Sequence, residues 1–182
     1  NAGRIPDIVI PVAFSGRSSE MDEIAKLADH YGFSVIEDAS HAIGGQFMGQ
    51  PIGCNQYADI TIFSFHPVKI ITTAEGGAAL TNSDELAARL RLYCSHGVTR
   101  DPDLRARTDD PEPWTYDQVA LGFNYRMTDM QAALGASQIS RLQEFNAARA
   151  QLAKRYDDLL AGLPVKRPLL DDNRHKSGWH LY

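Results

Sequence analysis

Short bursts of β-branched residues alternate with helix-spaced apolar stripes over the first third of the chain. Ile8 to Ala13 is a compact apolar run with turn residues after it at Ser15-Gly16, which predicts a buried strand. Met21, Ile24, Ala25, Ala28 and Tyr31 then recur at the spacing of one helical face. That predicts a helix over 19–31, with Ser19 as N-cap and Gly32 as its stop. Phe33 to Glu37 returns to the strand pattern. Strand, helix and strand within about thirty residues make a βαβ unit, so the sheet is expected to be parallel with a right-handed crossover.

Farther on, Gln46 to Gly53 reads as a hairpin turning at Gly49-Gln50, and Ile60 to Phe65 and Ala78 to Thr81 as further strands. Asn82-Ser83 opens a helix to about Tyr93, with Leu86, Ala87, Leu90 and Tyr93 aligned. Arg100 to Pro113 is polar and without period, and reads as a loop or a partly disordered excursion. Thr128 with Gln131 makes a capping-box pattern for a helix through Leu142, and a second helix runs from about Glu144 to Leu160. Pro168 to Ser177 reads as a linker. The class is α/β. Both ends run directly into apolar segments, which predicts a piece of a longer chain.

Composition changes this picture little. The 182 residues are 43% hydrophobic and 23% charged, ordinary for a soluble domain. A net charge of −5 without a Lys/Arg stripe argues against nucleic acid as partner. No apolar run approaches the length of a membrane span, and no leader pattern is present, so a cytoplasmic setting is expected. Cys54 and Cys94 lack metal-pair spacing and read as free thiols; no metal site is expected.

Candidate chemistry gathers around three strand ends. Asp38 closes a strand of the expected parallel sheet, where open α/β sheets place ligands. Taken alone it could equally cap a turn. Ser64 ends a later strand, and Lys69 follows on a loop that also carries His66. Thr72-Thr73-Ala74-Glu75-Gly76-Gly77 lies behind the lysine with little charge and two glycines. A lysine in such a setting can act as a nucleophile and then as a proton carrier. His41 stands three residues past Asp38. Asn124 and Arg126 precede a helix and are donors suited to phosphate oxygens. An amine, a carboxylate and a hydroxyl are the groups that pyridoxal phosphate requires.

Together Glu37-Asp38-Ala39-Ser40-His41-Ala42, Phe63-Ser64-Phe65-His66-Pro67-Val68-Lys69, Ile71-Thr72-Thr73-Ala74-Glu75-Gly76-Gly77, Ser95-His96-Gly97 and Gly122-Phe123-Asn124-Tyr125-Arg126-Met127 resemble the sugar aminotransferases of the DegT/DnrJ type. The resemblance implies the fold type I architecture of pyridoxal-phosphate transferases, a mostly parallel sheet flanked by helices. Residues 1–145 would be part of the cofactor-binding large domain, and 146–182 a connecting helix and the start of the small C-terminal domain. It implies a covalent bond from Lys69 to the cofactor, Asp38 on the pyridine nitrogen, His41 on the ring hydroxyl and Ser64 on the phosphate. It further implies that Asn124 reaches the phosphate held by a second subunit, so that two chains share each site. The implied reaction moves an amino group from glutamate to a nucleotide-linked 4-keto-6-deoxy sugar. A sugar dehydratase of the same fold and a non-catalytic sensor or scaffold are the alternatives; the dehydratases carry histidine where this chain has Lys69.

Overall fold

The structure, a computed structural model, describes residues 3–105, 112 and 114–182. The chain divides into two compact units, 1–82 with 129–182, and 83–128.

In the first unit the main sheet has the order β1 (Ile8–Val9), β2 (Ser34–Asp38), β5 (Ile60–Ser64), β6 (Gly77–Leu80). β1 and β5 both run parallel to β2, with Val9 opposite Val35 and Asp38 opposite Ile62. β6 instead runs antiparallel to β5, pairing Ser64 with Gly77 and Thr61 with Leu80. Parallel pairing needs a crossover; the link from Ser64 to Gly77 is a loop without a helix, so the chain turns back on itself. Extended chain at 8–13 is as expected, but its burial is not. Ile8, Ile10 and Val12 are 51%, 57% and 48% exposed, because among the described residues β1 is the edge strand of this sheet. Only the opposite side, with Ala13, enters the core.

Between β1 and β2, α1 (Met21–Tyr31) packs Met21 against Val35 and Phe47. Its N-cap is Glu20 rather than Ser19 and makes no side-chain cap. Gly32 ends it as expected, in the left-handed region at φ 76°. β3 (Gln46–Phe47) and β4 (Gln50–Pro51) form the hairpin. Its turn falls on Met48-Gly49, one residue earlier than expected, because both turn residues must take positive φ, here 51° and 77°. A third strand joins it: β9 (His175–Lys176), within the stretch read as a linker, pairs antiparallel with β3. Helices α3 (Asp129–Ile139) and α4 (Leu142–Leu159) follow each other directly, broken at Ser140-Arg141. Leu142 and Phe145 of α4 pack on a core of Ala13, Ala39, Ala42, Ile43, Ile52, Phe63, Ile70 and Ile71. Residues of that core flank every candidate site residue of this unit.

The second unit holds α2 (Asp84–Cys94), capped by the Ser83 hydroxyl accepting from the Leu86 N–H, and the pair β7 (Val98–Thr99) with β8 (Asp117–Gln118). Of the polar stretch from Arg100 to Pro113, Pro102–Leu104 is a 3-10 turn, while 106–111 and 113 lie outside the described residues. Among the described residues no helix is long and apolar enough to cross a membrane, and no cluster of three His, Cys, Asp or Glu could hold a metal ion. Cys54 and Cys94 are free thiols.

One glycine decides how the first unit closes. Gly16 sits at φ 115°, and a Cβ there would lie 2.6 Å from the Trp179 backbone nitrogen. Gly16→Ala is therefore expected to destabilise the fold by about 2–4 kcal/mol through strain and overpacking. Urea unfolding of the wild type and variant would measure it, and an unchanged midpoint would contradict the close packing.

Candidate active site

Asp38 and Ser64 stand at the C-terminal ends of the neighbouring parallel strands β2 and β5, where peptide dipoles and loops leave room for a ligand. Asp38 Oδ1 accepts a 3.0 Å hydrogen bond from the Ser40 N–H, so the turn-capping role is present. That bond uses one carboxylate oxygen, and no cation lies within ion-pair distance of Asp38 among the described residues. Among the described residues Ser64 Oγ is engaged only by a long 3.4 Å contact from the His66 N–H.

Lys69 lies on a loop pinched at its neck. The Phe65 N–H donates to the Gly76 carbonyl (2.8 Å), and the Thr73 N–H donates to the Phe65 carbonyl (3.0 Å). Thr72 Oγ1 donates to the same Phe65 carbonyl at 2.9 Å and accepts from the Ala74 N–H at 2.9 Å, supporting the left-handed Ala74 (φ 66°). From α3, Gln138 Oε1 accepts the Thr72 N–H at 2.9 Å. Ile70 and Ile71 are buried beside the half-buried lysine, anchoring the loop in the core. Lys69 itself makes no salt bridge among the described residues. His66 Nε2 lies 3.9 Å from a Glu75 carboxylate oxygen at the loop's outer side.

His41 links these groups. Burial and the nearby Lys69 charge lower its pKa, while Asp38 opposes them, so the amine and the carboxylate both act on this ring. Its Nδ1 accepts from the Ser15 N–H at 3.2 Å, and the Phe14 ring lies 5.5 Å away. Glu37, alternating to the other side of β2, is buried; burial raises its pKa against hydrogen bonds from Thr61 and Ser18. The first unit thus gathers Asp38, His41, Ser64 and Lys69 at one end of one sheet.

Asn124 belongs to the second unit. Its backbone bridges to Ser95, flanked by the His96 N–H donating to the Phe123 carbonyl (2.8 Å) and the Tyr125 N–H donating to the Cys94 carbonyl (2.9 Å). Asn124 is exposed, and the exposed rings of its neighbours Phe123 and Tyr125 stack on each other with centroids 4.9 Å apart. Arg126 Nη1 donates to Ser95 Oγ at 3.3 Å.

The sequence pattern did not single out His180. Its ring lies tilted against that of His41 with centroids 4.4 Å apart, and its Nδ1 is buried without a hydrogen-bond partner among the described residues. No local periodicity marks this position; the only signal was its place after two small residues and an indole, Ser177-Gly178-Trp179.

Residues 5–182 match the DegT/DnrJ/EryC1/StrS aminotransferase family. The UDP-4-amino-4,6-dideoxy-N-acetyl-beta-L-altrosamine transaminase of Campylobacter jejuni is 39% identical over 171 residues, 94% of this chain and 42% of its own length. Helicobacter pylori PseC, an aminotransferase involved in the biosynthesis of pseudoaminic acid, superposes with a TM-score of 0.80 at 32% identity, over 95% of this chain and 43% of its own. Spr1654 of Streptococcus pneumoniae, a proposed sugar aminotransferase solved in PLP, PMP and apo forms, is 28% identical with a TM-score of 0.82 in the PMP form, covering 97% of this chain and 48% of its own. The chain therefore spans less than half the length of the relatives it matches.

Proposed function

From the premise that the chain belongs to the DegT/DnrJ/EryC1/StrS aminotransferase family, with its fold type I architecture, we propose that the protein is a pyridoxal-phosphate-dependent aminotransferase moving an amino group from glutamate to a nucleotide-linked 4-keto-6-deoxy sugar. The observation that carries the reading is the convergence of Lys69 and Asp38 on His41 at the C-terminal end of a parallel sheet.

The donor set suits the cofactor. Lys69 offers an amine with no carboxylate partner among the described residues. Among those residues Asp38 has one oxygen uncommitted, and the Ser64 hydroxyl makes no donation. When bound, pyridoxal phosphate supplies a ring that withdraws electrons from the substrate carbon being deprotonated. In this reading Asp38 keeps the ring nitrogen protonated by offering it a charge-assisted hydrogen bond. Lys69 would hold the cofactor through its Nζ, and the same nitrogen would carry the proton at the reacting carbon. Its loop, pinned by Thr72 and Gln138, keeps that nitrogen within reach, which is where the rate advantage of a held group arises. Ser64 would donate to the phosphate, and the Nε2–H of His41 to the ring oxygen.

The substrate assignment follows the Campylobacter transaminase, whose name specifies a UDP-linked amino sugar. Asn124, held by a paired backbone and flanked by exposed Leu121, Phe123 and Tyr125, suits an interface where two copies share each site in a homodimer. Residues 1–145 fall to the large domain and 146–182 to the connecting helix and start of the small domain, in a cytoplasmic enzyme. A glutamate-dependent assay of the full-length protein against UDP- and dTDP-linked 4-ketosugars tests the reading. Amination of a UDP-linked 4-ketosugar is expected; loss of hydroxyl without gain of amine would make it a dehydratase, and no turnover with bound cofactor a sensor or scaffold.

A further inference from the structure

Ten residues at the end of the first unit are fastened to its beginning. Arg17 pairs with Asp172 at 2.7 Å, holding the Asp172 carboxyl well below the usual range. Arg174 bridges Glu20 at 2.8 Å and Asp22 at 2.7 Å. His175, buried, touches Asp172 at 3.1 Å and lies against the Phe47 ring, tilted by 53°. Beyond this clasp the backbone of 178–181 lies along Ser15-Gly16. The Gly178 N–H donates to the Gly16 carbonyl (2.8 Å), and the Leu181 N–H to the Ser15 carbonyl (3.2 Å). From α4, Arg149 Nη1 donates to the Trp179 carbonyl at 3.1 Å. A Cβ at Gly178 would lie 3.0 Å from Ile70 Cδ1, so the chain passes close to the residue that follows Lys69. With the backbone so held, the His180 ring lies against that of His41, the two planes tilted by 42°.

Ser15 is therefore shared. Its carbonyl takes the Leu181 N–H, and its own N–H is given to His41 Nδ1. An imidazole that accepts at Nδ1 carries its proton on Nε2. We propose that His180 is a positioning residue of the active site, a second imidazole that backs His41 and, with Ser15, holds it neutral with Nε2–H as the donor toward the cofactor's ring oxygen. The proposal rests on the pyridoxal-phosphate reading for the identity of that oxygen, and on contacts among this chain's own residues for the rest.

The charges facing the pair come from every side: Lys69 from its loop, Asp38 from β2, Arg149 from α4. Two of the three are cations, so a proton added to either ring is opposed. Burial, then His41, Lys69 and Arg149, push His180 down to about 4. Between about pH 4 and 6.5 a histidine depressed in this way is neutral in the fold and charged when unfolded. Its neutral state costs no stability above about pH 6.5, and stability is lost as pH falls from there toward about 4.

The test is ring-nitrogen NMR on the full-length protein, with and without pyridoxal phosphate, in the wild type and in H180A and H180F. His41 is expected as the Nε2–H tautomer in the wild type. In H180A it should take up a proton at higher pH, and the cofactor dissociation constant should rise about tenfold, the worth of one oriented hydrogen bond. H180F, which keeps a flat ring against His41, should recover part of both effects. An Nδ1–H tautomer of His41 in the wild type would overturn the proposal even if the variants fail to fold. So would an H180A protein with unchanged His41 titration and cofactor affinity. A protein that binds no pyridoxal phosphate would sink the proposed function instead, while the cofactor-free spectra still decide the tautomer.

Discussion

Replacing Lys69 with alanine is expected to leave the protein folded and to lower transamination by about a thousandfold or more, the scale set by losing a covalent nucleophile that is also the proton carrier. The two effects separate because of where the lysine sits. Ile70 and Ile71 anchor the loop, Thr72 and Gln138 clamp it, and Lys69 contributes no ion pair among the described residues to the fold. Its removal should cost little stability, on the order of 0.5–1 kcal/mol. Two measurements check this. Borohydride treatment of the full-length wild type should bleach the absorbance near the visible edge and fix the cofactor to Lys69, whereas the variant should show no covalent cofactor. Steady-state amination of the ketosugar should fall in parallel. A variant that turned over at the wild-type rate would remove Lys69 from the chemistry altogether.

For Asp38→Asn we expect a loss of about a hundredfold or more in the glutamate half-reaction, with folding intact. The expectation of an intact fold comes from the turn: Asp38 Oδ1 accepts the Ser40 N–H, and an asparagine oxygen can accept it equally well. What asparagine lacks is the negative charge that keeps a pyridine nitrogen protonated. Without it the ring withdraws electrons poorly, and preorganised electrostatic contacts of this kind are worth roughly 3–4 kcal/mol of barrier. Stopped-flow conversion of the cofactor by glutamate reads the chemical step directly, and the melting temperature reads the fold. If the half-reaction stayed within about threefold of wild type, Asp38 would be reduced to its turn-capping role.

Several features were legible in the chain because they are local. The run of β-branched residues before Asp38, the apolar stripe from Met21 through Ala28 and the stop at Gly32 each follow from periods of two or 3.6 residues and from glycine's access to positive φ. The lysine loop was legible for a similar reason: Ser64, Lys69 and the two glycines are close in sequence, and the loop's closing hydrogen bonds run between residues at most eleven apart. Turn placement was harder. The hairpin turned at Met48-Gly49 because sequence pattern does not say which residue will accept φ of 51°. The exposure of Ile8, Ile10 and Val12 was illegible, since an apolar run looks the same on an edge strand and in the middle of a sheet.

The amine, the carboxylate, the hydroxyl and the strands that carry them were written in residue order, because each lies within a few positions of the strand end that presents it. The return of His180 to His41 was not. Those two residues are separated by most of the chain, and their meeting depends on Arg17 and Arg174 finding carboxylates, on β9 pairing with β3, and on Gly16 leaving room for the Trp179 backbone. Each of these contacts joins segments more than a hundred residues apart, and a one-dimensional pattern holds no distance of that kind; it exists only once the core has closed.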